Sequence, residues 1–434
     1  MSGVEQRRNL ASWLPWCLAV VLGLRMAVHQ ARVVDQRANG FVAYYTSARL
    51  LTEGEDPVHF YDRPWFQRQV ERFEPTVLEV FWATPPTMSL LALPLSGLGY
   101  YEARALWVGV SFLIVIATTA WLLPALRVSG LWAPAFVGFT FLYRPLASTL
   151  EHGQFYPLGL ALLAVVFHGY RTGRDLPAGI PLGFMLITKN AGLLIWPLLA
   201  IRKRWRAMAW AVSLAAFTAL ASWPWIGSAA WGRYLRDASE VTRNPLLAVT
   251  AYQTVFGFFH HLFGLGGAPI GAPLMQLPAL ATALTWIASG ALLILTALVA
   301  QRSGARDLMF AAFVLLGLMI TPVTGDSHFT LALLSIAVLV AEAQRRNTAY
   351  ALVLLAGALL IAADLPYRSP RLADGPIALL AYPKLYGTLL LWGLALWTAH
   401  ERRLGHPAEL LEPRTGETKS GVPAGMLLEG LEIS

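Results

Sequence analysis

Two groups of side chains in this sequence could perform group-transfer chemistry. Acids crowd the region between residues 30 and 80, and cations sit inside apolar stretches further along. The acids are Asp35, Glu53, Glu55, Asp56, Asp62, Glu71, Glu74 and Glu79. A carboxylate at the rim of a cavity can take the proton of a hydroxyl as a new bond forms, which is general-base work. Asp35 and Asp56 are the catalytic candidates; Asp35 is the better placed, between an apolar stretch and an amphipathic one, and most of the other acids read as solvated surface charge. Arg144 and Lys189 interrupt apolar runs, where an unpaired charge costs on the order of 3 kcal/mol, so they mark a polar cavity. His328, beside another apolar run, joins them as a candidate polar group of such a cavity. Tyr44, Tyr45, His152, Gln154 and Asp326 are the candidate substrate-binding residues. No Asp-x-Asp pair is present, and the adjacent His260 and His261 point to different faces of a helix. Neither a metal site nor a cofactor is expected.

The elements that must position these residues follow from composition. Of 434 residues, 56% are hydrophobic and only 13% charged, about half the charged share of a soluble domain. Mean hydropathy is +0.54. These values exclude a cytosolic enzyme, a disordered chain and a nucleic-acid binder. The single cysteine, Cys17, excludes an intrachain disulfide and a cysteine-cluster metal site. The expected fold class is therefore an all-α polytopic membrane protein surrounded by membrane lipids.

A membrane-crossing helix needs about 20 apolar residues, because the hydrocarbon layer offers no partners to free backbone groups. Segments near 11–29, 81–98, 105–125, 131–150, 155–170, 177–201, 207–227, 277–300, 308–323, 329–343, 348–364 and 378–399 qualify, wholly or nearly. Arg144 and the Lys189-Asn190-Ala191-Gly192 run suggest that 131–150 and 177–201 are broken or re-entrant. Short basic loops, such as Arg202 to Arg206, Arg345-Arg346 and Arg402-Arg403, should face the cytoplasm, with both termini. Residues 30–80 and 228–276 then become long outer loops. Phe41, Tyr44, Tyr45, Ala48 and Leu51 recur at helical spacing and predict a surface helix with its aromatic face toward the membrane. Tyr252, Val255, Phe256 and Phe259 predict a second membrane-facing helix over 251–263. Residues 1–404 form one integral membrane domain, and the polar stretch 405–434 reads as a disordered cytoplasmic tail.

The order of motifs resembles that of glycosyltransferase family 87, membrane enzymes of the GT-C type. The resemblance rests on Gly40-Phe41 through Tyr44-Tyr45, then Gly54-Glu55-Asp56-Pro57, and Trp82-Ala83-Thr84-Pro85-Pro86. It continues through Gly153-Gln154, through Lys189 with its following basic loop, and through Pro322 followed by Asp326-Ser327-His328. It spans roughly residues 10–400; each motif is weak alone, and the ordered set carries the identification. It implies a GT-C-like bundle of about 10–13 transmembrane or half-membrane helices, with amphipathic helices in the outer loops. It also implies transfer of a hexose, with mannose expected, from a polyprenyl-phosphate donor to a lipid or glycan acceptor outside the inner (plasma) membrane, with Lys189, Arg144 and His328 binding the donor phosphate as it becomes an anionic leaving group. One position departs from the pattern. Where the family places an aspartate before the Phe, this chain has Gly40, so the base would fall to Asp35 or Asp56, or be missing in a non-catalytic member. A transporter or lipid flippase is the alternative of another class.

Overall fold

The computed structural model describes residues 3–82, 84–189 and 195–404. The protein is 75% helical, with no strand among the described residues. It is an all-α polytopic membrane protein. Four helices are long and apolar enough to cross a bilayer: Trp13–Val33, Tyr100–Ala125, Pro278–Arg302 and Asp326–Ala343. Counting two bent pairs as spans raises the number to six. The exposed faces of the outermost helices are apolar, with Trp286, Ile287 and Ile294 on one and Leu14, Leu18 and Leu24 on another. Such surface is stable against hydrocarbon.

Several expected single spans are divided. The stretch 131–150 breaks at Tyr143 into helices Trp132–Leu142 and Arg144–Glu151. A break near Lys189 is also found: helix Asp175–Thr188 ends there, and the next helix begins at Ile195. Residues 190–194 of that expected break lie outside the described residues. The expected span 81–98 is not a long helix. Pro85-Pro86 is followed only by the short Met88–Ala92 helix and a 3-10 turn to Leu95. Residues 207–227 turn by 110° at Ser222, and the second half, Trp223–Ser239, buries Ile226, Ala230 and Tyr234. The expected tail, 405–434, lies outside the described residues.

Small residues set the tightest helix pairing. On helix Asp175–Thr188, Gly179 and Gly183 face Ala207 and Ala211 of helix Trp205–Ala221. A Cβ on Gly179 would lie 2.3 Å from the Ala207 carbonyl oxygen, and one on Gly183 2.5 Å from that of Ala211. Small residues four apart let two backbones approach this closely in lipid.

Both expected amphipathic helices exist, and both turn inward. Helix Phe41–Thr52 buries Phe41, Tyr44, Tyr45 and Ala48, each at 5% exposure or less, against protein. Phe41 and Tyr45 pack with Tyr100 and Phe73, forming a compact aromatic core with Phe60, Phe66 and Phe81. Periodicity reports an apolar face but not what covers it, so lipid and protein were indistinguishable in the sequence. Helix Val255–Phe263 likewise buries Val255 and Phe256 in the protein. His261 bonds Tyr382 Oη and the Ala373 carbonyl, whereas His260 stacks on Phe256, so the two histidines do point apart.

Helix Tyr100–Ala125 separates two polar ends. At its start, the buried Arg104 donates to the carbonyls of Gln36 and Glu151. At its finish, Arg171 donates to the Ala125 carbonyl at 2.5 Å. Twenty-six residues of helix span about 39 Å. Around that far end gather the pairs Arg171–Asp307, Arg204–Asp175, Arg402–Glu342 and Arg346–Glu401.

Candidate active site

The Arg104 end of the molecule opens into a cavity of about 470 Å³. Its polar walls carry Glu79, His152, Gln154, Lys189, His328 and Arg368. Its inner end is apolar, formed by Leu163, Ile195, Phe313, Val314, Leu318 and Leu331. The cavity is thus two-sided in character: a charged, hydrogen-bonding mouth above a hydrocarbon-like floor.

The break at Tyr143 builds one wall. Arg144-Pro145 starts a new helix, as proline does without losing a bond in the first turn. Tyr143 Oη donates to the Phe329 carbonyl, and Thr149 hydrogen-bonds the Thr330 hydroxyl at 2.8 Å. These bonds fix helix Arg144–Glu151 against residues 326–331. The turn that follows presents His152 and Gln154. His152 donates Nδ1–H to the Ser148 carbonyl at 2.7 Å, which leaves Nε2 as an acceptor. Gln154 Oε1 accepts from Tyr44 Oη at 2.8 Å. His328 takes part with both ring nitrogens: Nδ1 accepts from Gly325 N–H at 3.3 Å, so Nε2–H donates to Tyr156 Oη at 2.5 Å.

The opposite wall comes from the 30–80 region. Phe41 N–H donates to the His152 carbonyl at 2.9 Å, docking the start of helix Phe41–Thr52 on the Gly153-Gln154 turn. Gly40 has φ +102°, a conformation that side-chain-bearing residues rarely adopt. A Cβ there would lie 2.5 Å from both the His152 carbonyl oxygen and Gln154 Nε2. Gly153 sits at φ +57° at the same junction, where an added Cβ would lie 2.7 Å from Phe41 Cβ. No side chain can leave position 40 without moving this junction. A carboxylate nevertheless reaches it: Glu79 Oε2 accepts from Gly40 N–H at 2.5 Å, while Oε1 accepts from Val80 N–H at 3.0 Å. Burial pushes the Glu79 carboxyl above its ordinary range, and the two backbone N–H groups and Lys189 pull it back.

Two cations, Lys189 and Arg368, line the cavity without an ion-pair partner among the described residues. Lys189 follows the last turn of helix Asp175–Thr188 with φ −151° and ψ 82°. Its Nζ lies 5.5 Å from the Tyr44 ring centre, and Glu79 is its charged neighbour. Arg368, in the loop after helix Thr348–Ala362, stacks over Tyr367 at the cavity wall.

The sequence-derived candidates divide sharply in position. Lys189, His152, Gln154, Asp326 and His328 line the cavity. Tyr44 reaches its wall through Gln154 and Lys189. Asp326 is held by the buried Lys384, 3.1 Å away, and so is half of a structural pair. Tyr45 is packed in the aromatic core, its hydroxyl donating to the Leu98 carbonyl. Arg144 lies outside the cavity lining and is bound by both oxygens of Glu151, at 2.8 and 2.9 Å, with Asp364 3.5 Å away. Asp35 is exposed and does not line the cavity. Asp56 is exposed and caps the Pro57–Tyr61 turn, accepting from Val58 N–H. Glu79 and Arg368 were not singled out. In the sequence Glu79 is one of eight acids between residues 30 and 80, close before Trp82 and the proline pair, and Arg368 follows Tyr367 in a loop with no motif of its own.

The cavity can hold a molecule with an anionic head and an apolar tail, and can present a carboxylate to that head. Among the described residues, no cluster of three potential metal ligands occurs. No curated protein matches the chain. The model of glycosyltransferase family 87 matches residues 82–322, just over half the chain. The matched region contains the proline pair, Gly153-Gln154 and Lys189, and stops before Asp326 and His328. The helical membrane fold, the cavity with its polar and apolar lining and this match lead to one conclusion: the chain belongs to glycosyltransferase family 87, the membrane glycosyltransferases.

Proposed function

We propose that the protein transfers a hexose, mannose in the first instance, from a polyprenyl-phosphate donor to a lipid or glycan acceptor on the extracytoplasmic face of the inner (plasma) membrane. The observation that carries this reading is the pairing, in one cavity, of the cations Lys189 and Arg368 with an apolar inner end. A lipid-phosphate sugar has that division of character, and it reaches the cavity from within the bilayer. Lys189 and Arg368 hold the phosphate and stabilise the charge it gains as the sugar leaves. Gln154 Nε2 and His152 Nε2 offer hydrogen-bonding groups to sugar hydroxyls, and His328 and Asp326, held by their own partners, shape the wall beside them.

The distribution of charge supports the proposed side of the membrane. The arginine-rich end formed by Arg171, Arg204, Arg346 and Arg402 lies across helix Tyr100–Ala125 from the cavity. Short basic loops tend to stay in the cytoplasm, and this favours cytoplasmic termini with the cavity outside. The test is to incubate membranes containing the protein with radiolabelled polyprenyl-phosphate mannose and follow the label. Transfer into lipid, glycan or protein supports the reading. Label that moves only from a nucleotide-linked mannose, with the polyprenyl donor inert, contradicts it.

A further inference from the structure

We infer that Glu79 is the catalytic base of this enzyme, standing in space where the family resemblance leads one to expect an aspartate at position 40. The inference rests on the proposed transfer reaction and adds the residue that takes the proton. Three independent observations meet at this carboxylate. It lines the cavity, whereas Asp35 and Asp56 do not. It is oriented from both oxygens, by Gly40 N–H and Val80 N–H, each leaving lone pairs unused. And Gly40, with φ +102° and a Cβ position already occupied by the His152 carbonyl and the Gln154 amide, makes room for no acid of its own.

In the reaction, the acceptor hydroxyl oxygen attacks the anomeric carbon of the donor and forms the glycosidic bond. The bond between that carbon and the phosphate oxygen breaks, and its electron pair leaves with the polyprenyl phosphate. The hydroxyl proton passes to the Glu79 carboxylate, and then to solvent through the cavity mouth. Lys189 faces both the base and the departing phosphate, coupling the two ends of the displacement.

Burial holds the Glu79 carboxyl above the ordinary carboxylate range. The charged and titratable groups facing it are Lys189, Tyr44, Tyr100 and Tyr252, with His152 on the adjoining wall. A base must be ionised to act, so the transfer rate should rise with pH through the Glu79 titration and then level.

The experiment compares purified wild type, Glu79→Gln, Glu79→Asp, His152→Gln, Asp35→Asn and Asp56→Asn in proteoliposomes, using radiolabelled polyprenyl-phosphate mannose. Measured are kcat, KM for the donor, the pH profile and the thermal unfolding midpoint. Glu79→Gln is expected to lower kcat by about 100-fold or more, with donor KM and folding preserved and the acidic limb of the profile lost. Glu79→Asp should keep a slow, pH-dependent reaction, which separates the carboxylate's chemistry from its role in holding Gly40. Asp35→Asn and Asp56→Asn should retain transfer. Wild-type rates in Glu79→Gln would overturn the assignment, as would an acidic limb that survives in it and vanishes in His152→Gln. A wild type that binds and transfers no polyprenyl-linked sugar overturns the reaction reading itself, and the assignment with it.

Discussion

Glu79 accepts the backbone N–H of Gly40 at 2.5 Å, so the acid facing the cavity is anchored to the residue that lacks one. The contact requires Gly40 at positive φ and leaves no volume for a Cβ. Gly40→Asp is therefore expected to weaken the protein and not to restore a familiar site. Backbone strain of this kind costs about 1–3 kcal/mol. Unfolding of the detergent-solubilised variant should show a lowered midpoint together with reduced transfer; an unchanged midpoint would show that the junction yields easily.

Arg368 reaches the cavity from a loop and has no ion-pair partner among the described residues. A hydrogen bond to a charged group is worth about 1.5–3 kcal/mol, or roughly tenfold to a hundredfold in binding. Arg368→Ala is expected to raise donor KM by about that factor, and Arg368→Lys by less. Kinetics at varied donor concentration distinguish the two; equal KM in all three forms would remove Arg368 from the phosphate contact.

Asp326 and Lys384 form a buried pair at 3.1 Å, with Lys384 1% exposed and also donating to the Ile361 carbonyl. Removing one member strands the other's charge, at about 3–5 kcal/mol. Asp326→Ala should thus destabilise the protein strongly, and Asp326→Ala combined with Lys384→Met should recover much of the loss. If Asp326→Ala unfolds normally but loses transfer, the carboxylate serves substrate instead.

In the 30–80 region, Glu53 is held below the usual carboxylate range by its hydrogen bonds to Arg72, both at 2.8 Å. A lowered folded-state pKa contributes stability above the unfolded value, and that stability fades as pH falls through the folded one. The pair is partly exposed, so its contribution is below about 1 kcal/mol. Arg72→Ala should lower the unfolding midpoint slightly at neutral pH and not at the acidic end of a titration. A difference that persists at low pH would point to lost packing over Phe73.

The sequence made the membrane class and the family legible because both depend on composition and on residues in chain order. Lys189, His152, Gln154 and His328 were also legible, since polar groups in apolar runs gather around polar cavities. Arg144 has the same signature, yet its charge is satisfied by Glu151, seven residues later. Local pattern does not say whether a buried cation is paired. Asp35 and Asp56 looked apt by position, but the chain between residues 30 and 80 folds into its own aromatic core and turns them away. Glu79 becomes visible only once residues 39 apart in sequence meet at Gly40. The aromatic stripe at Phe41 to Ala48 illustrates the same point: its period was right, and its covering was protein.

In the proposed reaction the cavity grips a lipid phosphate through Lys189. Equilibrium binding of radiolabelled polyprenyl-phosphate mannose to purified protein tests it most directly. Saturable binding to wild type, weakened about tenfold or more in Lys189→Met and largely retained in Lys189→Arg, is the predicted result. Superimposable isotherms for wild type and Lys189→Met, with both proteins folded, would contradict it.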